Sequence, residues 1–266
     1  MKRFLTLFAI ALTLLLPSLS WAGSAEDTQP VLPRAEVLVF ATALQQDLAA
    51  RGAHVAIVGR VGRDPETLPG GIDYTHVAYW VYSTIQRADG TTDKGYRVYN
   101  LYQLADDDSQ SRLVQDSPAD FFAGVFELDA GVIIPDPRLQ KKLLQVIASP
   151  TYAELHNASY SVLANPMTPQ FQNCTEHTLD VLMASLYGTT DQAQIKANIA
   201  AHFDPQPVKI GGLKRLFAPA ASAALTTADH GAQIGTATFG SIARFMAEND
   251  LSDQIYRYTP HQAEQF

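Results

Sequence analysis

Cys174 is the only cysteine in the 266 residues of the chain and the first candidate for chemistry. It follows Asn173, and the stretch 174–187 places leucines and a methionine at helical spacing before Gly188. This pattern predicts a helix that begins at the cysteine, with Asn173 as its N-cap and the glycine at its end. A thiol in the first turn of a helix lies near unpaired backbone N–H groups and the positive end of the helix dipole. We therefore expect a lowered pKa for this thiol, and backbone donors that can bind an oxyanion.

The first residues of the chain bear on how this cysteine is interpreted. A basic tripeptide, 1–3, is followed by an apolar run over 4–16 and by small residues up to Ala22. The apolar run is too short to cross a bilayer comfortably, and the three-part pattern is typical of a cleaved secretory signal. We expect a signal peptide over 1–22 with cleavage after Ala22, a mature chain without a membrane span, and a periplasmic or secreted protein.

A lone cysteine in an exported chain cannot form an internal disulfide, although exported proteins commonly use cysteines in pairs. Three interpretations of Cys174 follow. It is a buried free cysteine that packs as a small apolar residue, it pairs with a second chain, or it is a reactive thiol. A nucleophilic cysteine needs a histidine partner, preferably one that a third group orients.

His76 is the best placed of the seven histidines. The segments 75–85 and 96–104 are rich in β-branched and aromatic residues, and the polar turn between them contains two glycines, which predicts a hairpin. His76 begins the first strand, where a helix N-terminus can pack against the sheet edge. Asn100 on the second strand has matching parity, so its amide could fix the tautomer of the ring, or it is simply a polar residue on a wet sheet face. His177, three residues after the cysteine, is the alternative base.

Weaker candidates surround the cysteine. Gln170 and Gln172 lie just before it and could donate to an oxyanion, although loop glutamines are more often merely polar. Tyr152 and Tyr160 could line a cleft, although most tyrosines in such positions belong to the core or its rim.

The elements that must position these residues predict one α+β domain over 35–266, after a flexible leader over 23–34. Helices are expected over 36–51, within 135–148, and over 174–187 and 242–247; strands are expected over 54–58, 75–85, 96–104, 160–163 and 254–258. The stretch 205–240 is rich in Ala, Gly, Pro and Thr and predicts no clear element.

The order of the candidate residues resembles that of a known superfamily. The Asn-Cys-Thr-Glu-His segment at 173–177 is similar to the Asn-Cys-x-His or Asn-Cys-Glu-His element of the circularly permuted NlpC-type papain superfamily, which includes the lecithin retinol acyltransferase-like enzymes. In the permuted order a histidine strand, similar to 75–79, and a strand with a polar residue, similar to 98–101, precede the cysteine helix. The resemblance covers about 54–187. The whole chain also resembles an uncharacterised family of exported bacterial proteins, known as a domain of unknown function.

The resemblance implies a papain-like α+β fold with an antiparallel sheet packed on the cysteine helix. Cys174 would be the nucleophile, His76 the base and Asn100 the residue that orients the base. It also makes about 106–158 an insert, serving as a lid or a specificity element, and the C-terminal part an extension. Two features depart from the superfamily: Ala78 stands where a glycine usually follows the histidine, and the gap before the cysteine is long.

Composition and resemblance together define the expected function. A net charge of −8, from 19 basic and 27 acidic side chains, provides no cationic stripe for nucleic acid. No metal or other cofactor is expected, because no His, Asp and Glu cluster has ligand spacing. The resemblance implies an exported cysteine hydrolase or acyl-transfer enzyme acting on an amide or ester of a peptide or acyl substrate, with cell-wall peptides as the substrate class by analogy. The alternative is a non-catalytic envelope binding or assembly protein, in which Cys174 is structural.

Overall fold

The computed structural model describes residues 30–209 and 222–265, so the expected signal peptide and most of the leader lie outside the described residues. The helices are α1 (Arg34–Ala50), α2 (Pro118–Phe121), α3 (Pro137–Ile147), α4 (Thr151–Glu154), α5 (Cys174–Tyr187), α6 (Gln192–His202) and α7 (Phe239–Glu248). The strands are β1 (Val55–Arg60), β2 (His76–Gln86), β3 (Thr92–Gln103), β4 (Ser111–Asp116), β5 (Ala130–Pro135), β6 (Gln206–Val208), β7 (Ile234–Thr236), β8 (Ser252–Tyr258) and β9 (Ala263–Gln265).

Seven strands form one antiparallel sheet in the order β4-β3-β2-β1-β5-β8-β9, and β6 and β7 form a separate pair. The expected α+β class with a large antiparallel sheet is therefore confirmed. The range 106–158, expected to be an insert, supplies β4 and β5 to this sheet, and the C-terminal part supplies β8 and β9. None of the helices described between residues 30–209 and 222–265 has the length and apolar character needed to cross a membrane.

Helices cover both faces of the sheet. Side chains alternate along a strand, so β1 sends Ile57 to one apolar core and Val58 to the other. The first core packs against α3, α5, α6 and α7, and the second packs against α1 and α2. Because both of its faces are covered, all six residues of β1 are buried.

Helix α5 carries the candidate nucleophile and has the predicted bounds. The Asn173 side chain accepts from the N–H of Glu176 at 2.9 Å, so it caps the helix as expected. Gly188 ends the helix with a positive φ of 64°, a conformation that glycine adopts without steric cost. From Cys174 to Ser185 every residue is buried, which fixes the helix on the sheet.

A buried ionic cluster joins α5 to α6. The ammonium of Lys196 lies 2.7 Å from a carboxylate oxygen of Glu176 and 2.7 Å from one of Asp180. The amide of Gln172 donates to the second oxygen of Asp180 at 2.9 Å. The three charged side chains are at most 10% exposed. Since unpaired charges in such surroundings are costly, the cluster specifies how the two helices pack.

Two parts of the fold differ from the sequence-based prediction. The stretch 160–163 makes a single bridge, between Tyr160 and Gln172, where a strand was expected, because its backbone turns immediately afterwards. Strands β4 and β5 and helix α6 were not expected. In the stretch 205–240, the described residues contain the short strands β6 and β7 and the start of α7, and residues 210–221 lie outside the description.

Candidate functional site

The predicted hairpin is present as β2 and β3, but its strands separate at one end. Their paired register stops at Tyr79 and Tyr99, so residues 76–78 pair with β1 and not with β3 in the described sheet. Backbone groups alternate in direction along a strand, and the N–H of Val77 points to the side that β3 has left. This leaves a backbone donor without its strand partner at the point where the candidate histidine begins β2.

The first residue of α5 lies beside that donor. The backbone N–H groups of Val77 and Thr175 face the sulfur of Cys174 and favour its thiolate. Its side chain packs in a small cluster with Leu101 of β3, Tyr160 and Ala224. Cys174 is thus placed where the two strands diverge, beside the residue that follows His76.

Burial raises the pKa of the Cys174 thiol above its ordinary value. The N–H groups of Val77 and Thr175 and the positive charge of Arg60 act in the opposite direction, but their combined effect is smaller than that of burial. The pKa lowering expected from the position at the helix start is therefore wrong. The helix N–H groups contribute as expected, and the loss of water around a residue that is only 5% exposed outweighs them.

His76 and Asn100 are brought together as predicted. Nε2 of His76 lies 2.9 Å from Oδ1 of Asn100, and both residues are completely buried. Their side chains lie on the α1–α2 face, where the ring of Tyr102 stacks on the imidazole at a centroid distance of 4.9 Å. Stacking and hydrogen bonding together hold the ring in one orientation.

A carboxylate sets the direction of the Asn100 amide. Nδ2 of Asn100 donates to Asp116 at 2.8 Å, and the hydroxyl of Tyr102 donates to the same oxygen at 2.7 Å. An ionised carboxylate only accepts hydrogen bonds, so the amide nitrogen must face Asp116 and the amide oxygen must face His76. Nε2 of His76 then carries the proton, and Nδ1 carries the lone pair. Within the described part of the chain Nδ1 has no hydrogen-bond partner, so it is not hydrogen-bonded to the thiol in this structure.

The pKa of His76 lies well below its ordinary value of 6.5. Burial is the main cause, the charge of Arg60 adds to it, and the hydrogen bond with Asn100 opposes it. Because a low pKa keeps the ring neutral at pH 7, the site combines a neutral thiol with a neutral imidazole. A neutral thiol and a neutral imidazole can exchange a proton where the sulfur and Nδ1 come into contact.

Three residues of the site were missed in the sequence: Arg60, Tyr102 and Asp116. Arg60 ends β1 directly opposite His76, and it is only 2% exposed. A basic residue at the end of a wholly buried apolar strand is the signal that could have identified it, since buried arginines are rare. Tyr102 shares the strand and the parity of Asn100, so the hairpin pattern could have included it.

The weaker candidates have other roles. The ring of His177 contacts Tyr152 at 4.8 Å, and burial lowers its pKa to about 3. The amide of Gln172 is occupied by the backbone of Leu155 and Asn157 and by the α5–α6 cluster, so it is not available as an oxyanion donor. Gln170 is exposed.

One segment, 222–227, lies over the thiol and is called the strap below. Ala224 of the strap packs in the cluster that contains Cys174. The N–H of Val162 donates to the carbonyl of Ala224 at 2.9 Å, and the hydroxyl of Ser161 donates to the carbonyl of Thr226 at 2.8 Å. These bonds hold the strap against the segment that contains Ser161 and Val162, beside the thiol.

Comparison with known proteins gives the family of the chain. A family model described as an uncharacterised protein conserved in bacteria (DUF2145) matches residues 47–246, about three quarters of the chain, including all the candidate site residues. No curated protein and no solved structure matches the chain. The expected membership of an uncharacterised bacterial family is confirmed: the chain belongs to the DUF2145 family.

Proposed function

We propose that this protein is an exported cysteine hydrolase or acyl-transfer enzyme of papain-like architecture, acting on an amide or ester of a peptide or acyl substrate. The observation that carries the proposal is the hydrogen bond between His76 and Asn100, which leaves Nδ1 with a lone pair on the residue that precedes Val77, whose backbone N–H faces the Cys174 sulfur. The signal pattern over 1–22 supports export, and the permuted strand and helix order supports the papain-like architecture. Cell-wall peptides are the natural substrate class by analogy alone.

The proposed reaction has two stages. Cys174 gives its proton to Nδ1 of His76 while its sulfur forms a bond to the carbonyl carbon, and the N–H groups of Val77 and Thr175 are close enough to the sulfur to stabilise the oxyanion. The tetrahedral adduct then collapses, and the leaving amine or alcohol takes the proton from Nδ1. Water or another acceptor attacks the thioester, with His76 again taking and returning a proton, and the thiol is regenerated.

Acylation of the native protein tests this proposal. We expect the chain to form a covalent adduct, an acetyl thioester with p-nitrophenyl acetate or a thioether with a peptidyl acyloxymethyl ketone, detected by intact mass. Because Cys174 is the only cysteine, Cys174→Ala should abolish the adduct. Labelling of a urea-unfolded sample measures the intrinsic reactivity of the thiol. If the native thiol reacts no faster than in unfolded protein with either probe, the enzyme proposal fails.

Loosening the strap should increase access to the thiol. Ser161→Ala removes the bonds from its hydroxyl to the carbonyls of Thr226 and Ala224, and a hydrogen bond contributes roughly 1 kcal/mol. We expect the iodoacetamide alkylation rate of native Cys174 to rise about fivefold. Ser185→Ala is the matched control, because that buried serine bonds within α5 and does not contact the strap. An equal rate in wild type and Ser161→Ala would show that access is not limited by the strap.

A second candidate function is supported by the burial of the thiol. Cys174 is only 5% exposed and its pKa is raised, as in a structural cysteine of a non-catalytic envelope binding or assembly protein. Under that alternative, the hydrogen bond between His76 and Asn100 merely satisfies two buried polar groups. Replacing Asn100 would then destabilise the fold without affecting any acylation of Cys174.

A further inference from the structure

A small cleft lies beside the ionic cluster that joins α5 to α6, and it is called the α5–α6 cleft below. Its volume is about 210 Å³, part of which is open to solvent. Its lining combines the charged side chains of the cluster with the amide side chains of Asn157 and Gln192 and the apolar side chains of Leu155 and Phe171. Gln192 is exposed and the cluster is buried, so the cleft connects the buried charges with solvent.

The hydrogen bonds of the cluster leave one carboxylate oxygen free. The Lys196 ammonium donates to Oε1 of Glu176 at 2.7 Å and to the two oxygens of Asp180 at 2.7 and 2.9 Å, so its three protons are all used. Among the residues that the structure describes, Oε2 of Glu176 has no hydrogen-bond partner, although Glu176 is only 1% exposed. A buried carboxylate oxygen without a donor is costly, and Glu176 lines the cleft. This oxygen is therefore the acceptor that a ligand in the cleft would use.

The charges around Glu176 do not balance. The cluster contains two carboxylates and one ammonium, which leaves an excess of negative charge when both acids are ionised. Burial raises the pKa of Glu176 well above its ordinary value; Lys196 opposes the rise, and the charges of Asp180 and of Asp229, on the loop after the strap, add to it. The site therefore favours the uptake of one positive charge, either as a proton on Glu176 or as a cation in the cleft.

The side chains of the cleft favour one class of cation. A divalent metal ion takes about six oxygen ligands, and a single free carboxylate oxygen falls far short of this number. A guanidinium pairs best with both oxygens of a carboxylate, but Oε1 of Glu176 is occupied by Lys196. A quaternary ammonium is bound by a cage of aromatic rings, and Phe171 is the single aromatic side chain among the described residues that line the cleft. A primary ammonium remains, since it needs only a few separate oxygen acceptors.

We propose that the α5–α6 cleft binds a primary alkylammonium group, with Oε2 of Glu176 accepting one of its protons. The amide oxygens of Asn157 and Gln192 are the acceptors for the other protons, and the alkyl stem packs on Leu155 and Phe171. One small group then neutralises the excess negative charge and provides the missing donor. The site does not include the thiol, so the inference is independent of the proposed function.

Titration of the protein with n-propylammonium chloride tests the inference. We expect the side-chain amide signals of Asn157 and Gln192 to shift saturably in nitrogen–proton correlation NMR spectra. In Glu176→Gln the affinity should fall about tenfold, because the amide keeps the acceptor for Lys196 but lacks the charge. Glu154→Gln is the matched control: it removes an exposed carboxylate immediately before Leu155, and its affinity should equal that of the wild type.

The pH dependence of binding is a second measurement and needs no variant. Because the pKa of Glu176 is raised, the cation competes with a proton for this carboxylate. Propylammonium should therefore bind more tightly at pH 8 than at pH 6 and release protons, as measured by calorimetry in buffers of different ionisation enthalpy. Tetramethylammonium has no proton to donate and should not shift the two amide signals. Unshifted signals with propylammonium, equal affinity in Glu176→Gln, or equal binding of tetramethylammonium overturns the inference.

A peptide N-terminus and a lysine-type side chain both carry a primary ammonium. Alaninamide and Nα-acetyllysine amide represent these two sources in the same NMR titration. Binding of either compound that depends on Glu176 supports the inference, and the tighter of the two identifies the source. If neither compound binds the wild type, the cleft is not an ammonium site.

Discussion

Replacing His76 with alanine is expected to lower the rate at which p-nitrophenyl acetate acylates native Cys174 by about a hundredfold to ten-thousandfold. General-base assistance typically contributes a factor of this size, and the thiol, whose pKa is raised by burial, has little thiolate of its own at neutral pH. The wild-type rate should show no loss near pH 6.5, because the pKa of His76 lies well below that ordinary value. Stopped-flow release of p-nitrophenolate between pH 5 and pH 8 measures both effects.

Two further variants separate the chemical effect from a structural one. The ring of His76 is completely buried, so His76→Gln, which fills more of the volume than alanine, should show the same loss of rate with less effect on stability. His261→Ala removes an exposed imidazole and should react like the wild type. A folded His76→Gln protein that is acylated at the wild-type rate would exclude His76 as the base.

In the proposed reaction Asn100 is expected to matter less than His76, because it would orient the base and would not itself transfer the proton. Its side chain fixes the tautomer only as long as Asp116 holds the amide nitrogen. The carboxylate of Asp116, on the next strand of the sheet, thus extends the hydrogen bond between His76 and Asn100. Two neighbouring strands therefore hold the imidazole of His76: β3 provides Asn100, and β4 provides the carboxylate that orients Asn100.

Local patterns predicted much of the fold because the information they need is local. Helix α5 begins and ends as predicted, since a capping asparagine and a glycine mark its two ends. The hairpin of β2 and β3 followed from β-branched and aromatic residues on either side of a polar turn. Strand β5 was missed because it is buried on both faces and shows no alternation. Its neighbours β1 and β8 are distant in sequence, so no local signal indicates the pairing.

The candidate site was predictable to a similar extent. The types and order of His76, Asn100 and Cys174 were sufficient to propose a triad, and the structure places the first two in contact. The direction of the thiol pKa was not predictable, because burial by Tyr160 and the strap depends on the tertiary structure. The effect of Arg60 on the pKa of His76 depends on the sheet register, which places the two residues opposite each other. The sequence alone does not specify that register.

The ionic cluster between α5 and α6 leads to the largest expected effect on stability. Lys196→Met should lower the free energy of unfolding by about 3–5 kcal/mol, because it leaves two buried carboxylates without their cation. Glu176 lies two residues after Cys174, so the cluster also holds the start of the cysteine helix. Urea unfolding of the protein, followed by circular dichroism, measures the loss. Lys141→Met removes an exposed lysine of α3 and should change the free energy of unfolding by less than about 0.5 kcal/mol.

The loss of unfolding free energy in Lys196→Met should also depend on pH in a defined direction. Burial raises the pKa of Glu176 and of Asp180, and Lys196 opposes that rise. Without the lysine both pKa values rise further, so the folded protein binds protons more tightly than the unfolded chain. Stability from such groups is present at low pH and is lost as the pH rises through the folded pKa. The deficit of Lys196→Met relative to wild type should therefore be larger at pH 8 than at pH 5, and Glu176→Gln in the same background should reduce it. A deficit independent of pH would mean that the lysine stabilises the helix pair through its packing and not through its charge.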